Sequence, residues 1–178
     1  MKRLNTFSYL CMCYLFLIGC SKLDQEKPVW RTFTPPDGDF SISAPGQLTD
    51  TYDQIQTALG AIPRHRYTVS IGSTYYGVER HNYPKGSLSL LDVTEALDLL
   101  RDDAIKAIPG GRLADESLAR LGDKTGRDLR IEFGGGKTIV RSRMFVVGDR
   151  VYAIIVVAAR RHESDTAIEQ FIASFRLL

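Results

Sequence analysis

The chain has 178 residues, 44% of them hydrophobic and 25% charged, with a formal net charge of +2. That balance excludes a highly charged disordered chain and gives no general electrostatic pull toward nucleic acid or anionic lipid. The only three cysteines are Cys11, Cys13 and Cys20, so the sequence beyond them offers no disulfide scaffold, thiolate zinc site or cysteine nucleophile.

Lys2 and Arg3 precede an uncharged core, Tyr9 to Ile18, in the order of a secretory signal. The core is too short to span a bilayer, which takes about 20 apolar residues, and Ser21-Lys22-Leu23-Asp24 ends it. Leu17-Ile18-Gly19-Cys20 resembles the lipobox of bacterial lipoproteins, where a small residue precedes the cysteine that is acylated. The expected organisation is therefore a signal peptide at 1-19, a lipidated Cys20 with a polar tether at 20-29, and one domain at 30-178. Ser21 stands where an aspartate would favour inner-membrane retention, so the outer membrane is the expected destination in a two-membrane host. Loss of Lys2 and Arg3 leaves 21 basic residues against 21 acidic ones, a formally neutral mature domain.

The domain opens with a strand, turn, strand pattern: Trp30 to Thr34, then Pro35-Pro36-Asp37-Gly38, then Phe40 to Ser43, closed by Ala44-Pro45-Gly46. A polar loop follows. Tyr67, Val69 and Ile71 then alternate with polar residues, and Gly72-Ser73 leads into Thr74 to Arg80, which predicts a second hairpin. Between Leu90 and Ile108 the period changes: Leu90, Val93, Leu97, Leu100, Ala104 and Ala107 recur at threes and fours, the spacing of an amphipathic helix. Either Asp92 with Glu95 or Ser89 with Asp92 is placed to cap its start, and Pro109-Gly110-Gly111 stops it.

Further on, register itself can be argued. Leu129, Ile131 and Phe133 share one face of a strand, while Val140, Ser142, Met144 and Val146 are the alternates of the next. Pairing Phe133 with Thr138 and Ile131 with Val140 puts both sets on one face and leaves Gly134-Gly135-Gly136-Lys137 as a hairpin loop. Gly148-Asp149 is a two-residue turn joining Val147 to Arg150. Val151 to Ala159 is almost continuously apolar, so it must be covered on both faces. A helix from about Asp165 to Phe175 supplies part of that cover through Ile168, Phe171, Ile172 and Phe175. The expected class is α+β, an antiparallel sheet flanked by helices on both faces.

Asp37-Gly38-Asp39-Phe40-Ser41-Ile42-Ser43-Ala44-Pro45, Gly126-Arg127-Asp128, Gly148-Asp149-Arg150-Val151-Tyr152 and Phe171-Ile172-Ala173-Ser174-Phe175 together resemble the PsbP-like superfamily, with its Mog-like and DcrB-like branches. The resemblance implies an α/β/α sandwich and non-enzymatic binding to a larger partner. Ala44-Pro45-Gly46-Gln47 departs from the Tyr-Pro-x-Gly-Trp pattern of the photosynthetic members, so no photosystem role or metal ligand is carried over.

Motifs that carry chemistry resolve into structural features. Gly136-Lys137-Thr138 imitates the end of a phosphate-binding loop, yet Ile131 stands where the required glycine belongs and strands flank it on both sides. His65, His81 and His162 have no histidine or cysteine at ligand spacing, and Ser164 and Asp165 beside His162 suit a helix cap better than a hydrolytic triad. No catalytic residue, metal site or cofactor is assigned. Arg130, Arg141 and Arg143 form a basic stripe able to grip an acidic partner, although Asp128 and Glu132 are near enough to neutralise it. Two functions follow as expectations. The first is a lipid-anchored interaction module supporting an envelope protein complex, with no nucleic-acid partner. The second is a small-ligand or glycan-binding lipoprotein using tyrosines such as Tyr67, Tyr75, Tyr76 and Tyr152.

Overall fold

The computed structural model describes residues 28–57 and 60–178. The expected signal peptide, Cys20 and most of the tether lie outside those residues. The described chain is mostly antiparallel β structure with two α-helices. Strands β1 (Arg31–Phe33) and β2 (Phe40–Ala44) pair antiparallel, with Arg31 opposite Ala44. A short C-terminal strand, β10 (Arg176–Leu177), joins the free side of β2.

The other seven strands form one antiparallel sheet in the order β3-β4-β5-β9-β8-β7-β6. They are β3 (Thr49–Thr57), β4 (Gly60–Ile71), β5 (Thr74–Asn82), β6 (Arg112–Leu121), β7 (Lys124–Phe133), β8 (Thr138–Val147) and β9 (Arg150–Ala159). The β7–β8 register is the one the face argument required, with Phe133 opposite Thr138 and Ile131 opposite Val140. Val147 likewise pairs with Arg150 across Gly148-Asp149. Gly134, Gly135 and Gly136 all take positive φ (58°, 67° and 77°), the conformation a glycine-rich hairpin tip supplies at little steric cost.

Besides the two-residue β10, two strands were not foreseen, and they are the two edges of this sheet. The "polar loop" before Tyr67 contains β3 and the start of β4, and the acidic pair Asp115-Glu116 lies on β6. Edge strands keep a polar, exposed character that blunts pairing with other chains, and this same polarity removes the apolar alternation that reveals a strand. The pairing of β6 with β7 shifts register between Leu113 and Asp115.

Helix α1 (Val93–Lys106) is shorter than its apolar period suggested, because Leu90 belongs to a preceding 3-10 turn and is 86% exposed. Asp92 is its N-cap: the carboxylate accepts from Thr94 N at 2.7 Å, and Glu95 accepts from the Asp92 backbone N–H. That satisfies donors which the first helical turn leaves unpaired. Ser89 instead donates to the Gly86 carbonyl. Helix α2 (Thr166–Ala173) is capped by Asp165, which accepts from Ala167 N at 3.0 Å.

Alternate residues of β9 enter two separate hydrophobic clusters, as period-2 geometry demands. Tyr152, Ile154, Val156 and Ala158 pack with Phe40, Ile42 and the α2 residues Ile168, Phe171 and Ile172. Ala153 packs with Leu97 of α1 and with Leu129, Ile131, Val140 and Met144, and Ile155 and Val157 of β9 and Leu100 and Ala104 of α1 stand at the partly buried margin of that cluster. Helix α1 makes its sheet contacts chiefly with β7 and β8, so it covers one half of its face. On the other cluster, Ser174 fastens the end of α2 to β2: Ser43 N donates to its hydroxyl at 2.9 Å, and that hydroxyl donates to the Phe171 carbonyl at 2.8 Å.

Gly126 has a specific steric reason. A Cβ there would lie 2.3 Å from the Met144 carbonyl oxygen and 2.5 Å from two ring carbons of Phe145, its cross-strand partner. Phe145 is 1% exposed, so neither its ring nor the β8 backbone has room to retreat.

Candidate functional site

The arginine stripe is assembled as read from the sequence, with Arg130 opposite Arg141 and Asp128 opposite Arg143, but its charges are spent inside the domain. Arg130 is bidentate on Glu163, with Nη2 to Oε2 at 2.9 Å, and its Nη1 lies 2.8 Å from Glu132 Oε1. Arg141 reaches Glu169 at 3.0 Å and Asp128 at 3.7 Å. Both nitrogens of the Arg143 fork donate to Asp128. The Arg130 hydrogen bond is the main cause that holds the Glu132 and Glu163 carboxyls below the ordinary glutamate range. Glu163 and Glu169 come from α2 and the turn before it, which sequence spacing could not have placed over the stripe. These arginines tie that segment to the sheet.

Tyr67 and Tyr76 are core residues, 1% and 4% exposed, and burial pushes the Tyr67 phenol up to about 12. Tyr152 borders a shallow rim pocket with Asp37, Arg80 and Arg150. Arg80, 5% exposed, donates to Asp37 and, at 2.6 Å, to Asp39, which pins the β1–β2 turn to β5. Among the described residues no three His, Cys, Asp or Glu side chains are grouped as a metal site would need. Nor is any helix among them long and apolar enough to cross a membrane.

The concave site of the domain lies on the sheet face that α1 leaves half covered, a cavity of about 770 Å³. Its floor is the second face of β9, Val151, Ala153, Ile155 and Val157, continued by Val140 and Met144 of β8. Leu100, Ala104 and Ile108 form one side wall from α1 and the turn after it. The opposite wall is polar and comes from β4 and β5. There Arg64 donates to Asp53 at 2.9 and 2.7 Å and to Glu79 at 3.4 Å, and Glu79 meets His81 Nε2 at 3.0 Å. Burial alone would push the Glu79 carboxyl up, but its bond to His81 and the Arg64 charge outweigh burial and hold it below its ordinary value. Tyr75, Tyr83 and Ser142 add hydroxyls, and Gly77 makes room for Tyr75, since a Cβ there would lie 2.9 Å from its Oη. Of the tyrosines proposed from sequence, only Tyr75 lines this cavity. The continuous apolarity of Val151 to Ala159 was the signal for the floor, while the missing helical cover over half the sheet was invisible in one dimension.

This architecture is a PsbP-like fold. The structure is similar to the cyanobacterial PsbP protein CyanoP from Synechocystis sp. PCC 6803, with a TM-score of 0.57 at 11% identity, covering 91% of this chain and 99% of that one. It also matches the Saccharomyces cerevisiae Ran-binding protein Mog1p, with a TM-score of 0.49 at 12% identity, over 84% of this chain and 95% of that one. No family model and no curated protein matches the sequence. At such identities the likeness is one of fold.

Proposed function

We propose that this chain is a lipoprotein of the cell envelope, anchored through Cys20, whose domain is a non-enzymatic binding module facing the periplasm or the exterior. Leu17-Ile18-Gly19-Cys20 supports the anchor, and Ser21 supports outer-membrane sorting in a two-membrane host. The two hydrophobic clusters, one built with α1 and the other with α2, support reading the architecture as an α/β/α sandwich.

The observation that carries the binding role is the cavity of about 770 Å³ with its apolar floor and polar wall. Sites for small molecules have this anatomy and occupy roughly 300 to 1,000 Å³. Sequence alone ranked a protein partner first, but the arginines offered as its grip are engaged by Asp128, Glu132, Glu163 and Glu169. A small ligand is therefore the leading reading. Support of an envelope protein complex is the second, favoured by exposed Leu90, Val93 and Leu99 at and along α1.

The test is to cross-link and capture the protein from its native host beside a Cys20→Ala variant, and to extract and weigh any small molecule that comes with it. A discrete extracted molecule supports the leading reading. A discrete protein recovered only with the anchored form, and no extractable molecule, supports the second. Neither outcome in either sample refutes both.

A further inference from the structure

We infer that the cavity holds one uncharged, single-chain amphiphile, its apolar chain on the β9 floor and its hydroxyl- or ester-bearing end at Ser142 and Tyr75. The inference rests on the small-ligand reading and adds the chemical class and the orientation.

Shape and floor fix the apolar part. Val151 to Val157 is a strand apolar on both faces, and one face is sealed by the α2 cluster. On the other face Ile155 and Val157 stay partly exposed toward the cavity, because α1 packs chiefly over β7 and β8. An apolar floor of this kind gains free energy from any chain that displaces water from it. An extended alkyl chain can follow β9 between α1 and the β4–β5 wall.

Charge matching fixes the head. The lining carries Arg64 and Lys106 against Glu79 and Asp103. The ions of the deep wall are already matched: Arg64 is held by Asp53 and Glu79, and Glu79 by His81. A carboxylate head would have to take Arg64 from two carboxylates, and a cationic head would displace Arg64 or His81 from Glu79. Either exchange buries a charge without its partner. The hydroxyls of Ser142, Tyr75 and Tyr83 remain, with the buried Nδ1 of His81, which has no hydrogen-bond partner among the described residues, and they pair with a hydroxyl or an ester carbonyl without disturbing that network. Lys106 and Asp103 sit on the exposed face of α1 at the mouth, where water screens them.

Two photoreactive probes of equal chain length separate the possibilities: a diazirine 1-monopalmitoyl glycerol and a diazirine palmitic acid. Each is added to the full chain in nanodiscs, and labelled peptides are mapped by mass spectrometry. The glycerol ester should label peptides carrying residues 100–108 and 151–157 at least about tenfold more than the acid, the cost expected for stranding a charge at the wall. Ala107→Trp, at the exposed rim, should cut that labelling while leaving the melting temperature unchanged. If it lowers the melting temperature, Ala104→Phe, which fills the side wall, replaces it. Equal labelling by the acid overturns the head-group assignment and leaves the ligand reading standing. Labelling that persists in a folded, blocked variant overturns the assignment of the site. No labelling of these peptides, together with no molecule extracted from the native protein, overturns both the inference and the reading beneath it.

Discussion

Replacing Gly126 by alanine adds a single methyl group, and the structure gives it nowhere to go. The new Cβ would stand 2.3 Å from a backbone oxygen of β8 and 2.5 Å from the Phe145 ring, when ordinary contacts begin at 3.4 Å. Relief requires β7 and β8 to part by roughly 1 Å, which stretches their ladder hydrogen bonds and displaces a ring at 1% exposure. Overpacking a dense core costs about 1 to 3 kcal/mol, and a clash with backbone belongs at the upper end. For a domain of this size about 3 kcal/mol lowers the melting temperature by roughly 10 °C. Gly135→Ala is the control: it has no atom within 4 Å but a φ of +67°, so its cost is conformational and about 1 kcal/mol. Thermal unfolding followed by circular dichroism compares the two. A Gly126→Ala protein that melts within about 2 °C of the parent, or above Gly135→Ala, refutes the packing argument.

Ser174→Ala should cost about 1 to 3 kcal/mol in urea unfolding, because it leaves the Ser43 N–H without its 2.9 Å acceptor between β2 and α2. Arg80→Met should destabilise by about 1.5 kcal/mol in the same assay, since it removes the buried guanidinium from Asp37 and Asp39 while Asp39 keeps Arg150 at 2.6 Å and Asp37 stays open to water; a neutral result would show that water and Arg150 serve them equally well. Asp92→Ala should lose about 1 kcal/mol and reduce the protection of α1 amides from hydrogen exchange, leaving those of β9 unchanged. Asp53, Glu132 and Glu163 are held low chiefly by arginine hydrogen bonds, and Glu79 is held low against burial by His81 and Arg64. Their pKa values fall on folding, so their contribution is complete above the unfolded values near 3.8 and 4.5 and drains as pH drops through the lower folded ones. The melting temperature should therefore hold between about pH 7 and pH 5 and decline below that, whereas a flat profile to about pH 3 would contradict the assignment.

Most elements with a buried face could be read from sequence, whereas the two exposed edge strands could not. The β7–β8 register followed from Ile131 and Val140, because only one alignment buries both. Helix α1 announced itself through Leu97, Leu100 and Ala104, though Leu90 extended the apparent period into a turn. The edge strands β3 and β6 have almost no buried side chains and so left no period to detect. Gly126-Arg127-Asp128 was visible as a motif, but the reason for its glycine lies across the ladder on Phe145. The partners of Arg130 and Arg141 were hidden in the same way, since Glu163 and Glu169 meet them only once α2 folds back over the sheet.

The polar edges bear on how many copies can crowd together. Among the described residues the seven-stranded sheet ends in two rows of backbone groups with no strand partner, on β3 and β6, and each row is a template for a neighbouring molecule. Asp50 and Asp53 on one edge, and Asp115, Glu116 and Arg120 on the other, make an incoming strand bury charge as it docks, and the irregularity at Leu113/Asp115 breaks the straight run a partner would copy. The anchor proposed through Cys20 would confine copies to a plane, where they meet more often than in bulk solution. Margins of this kind oppose edge-to-edge pairing at densities where a smoother edge would knit neighbours into a continuous sheet.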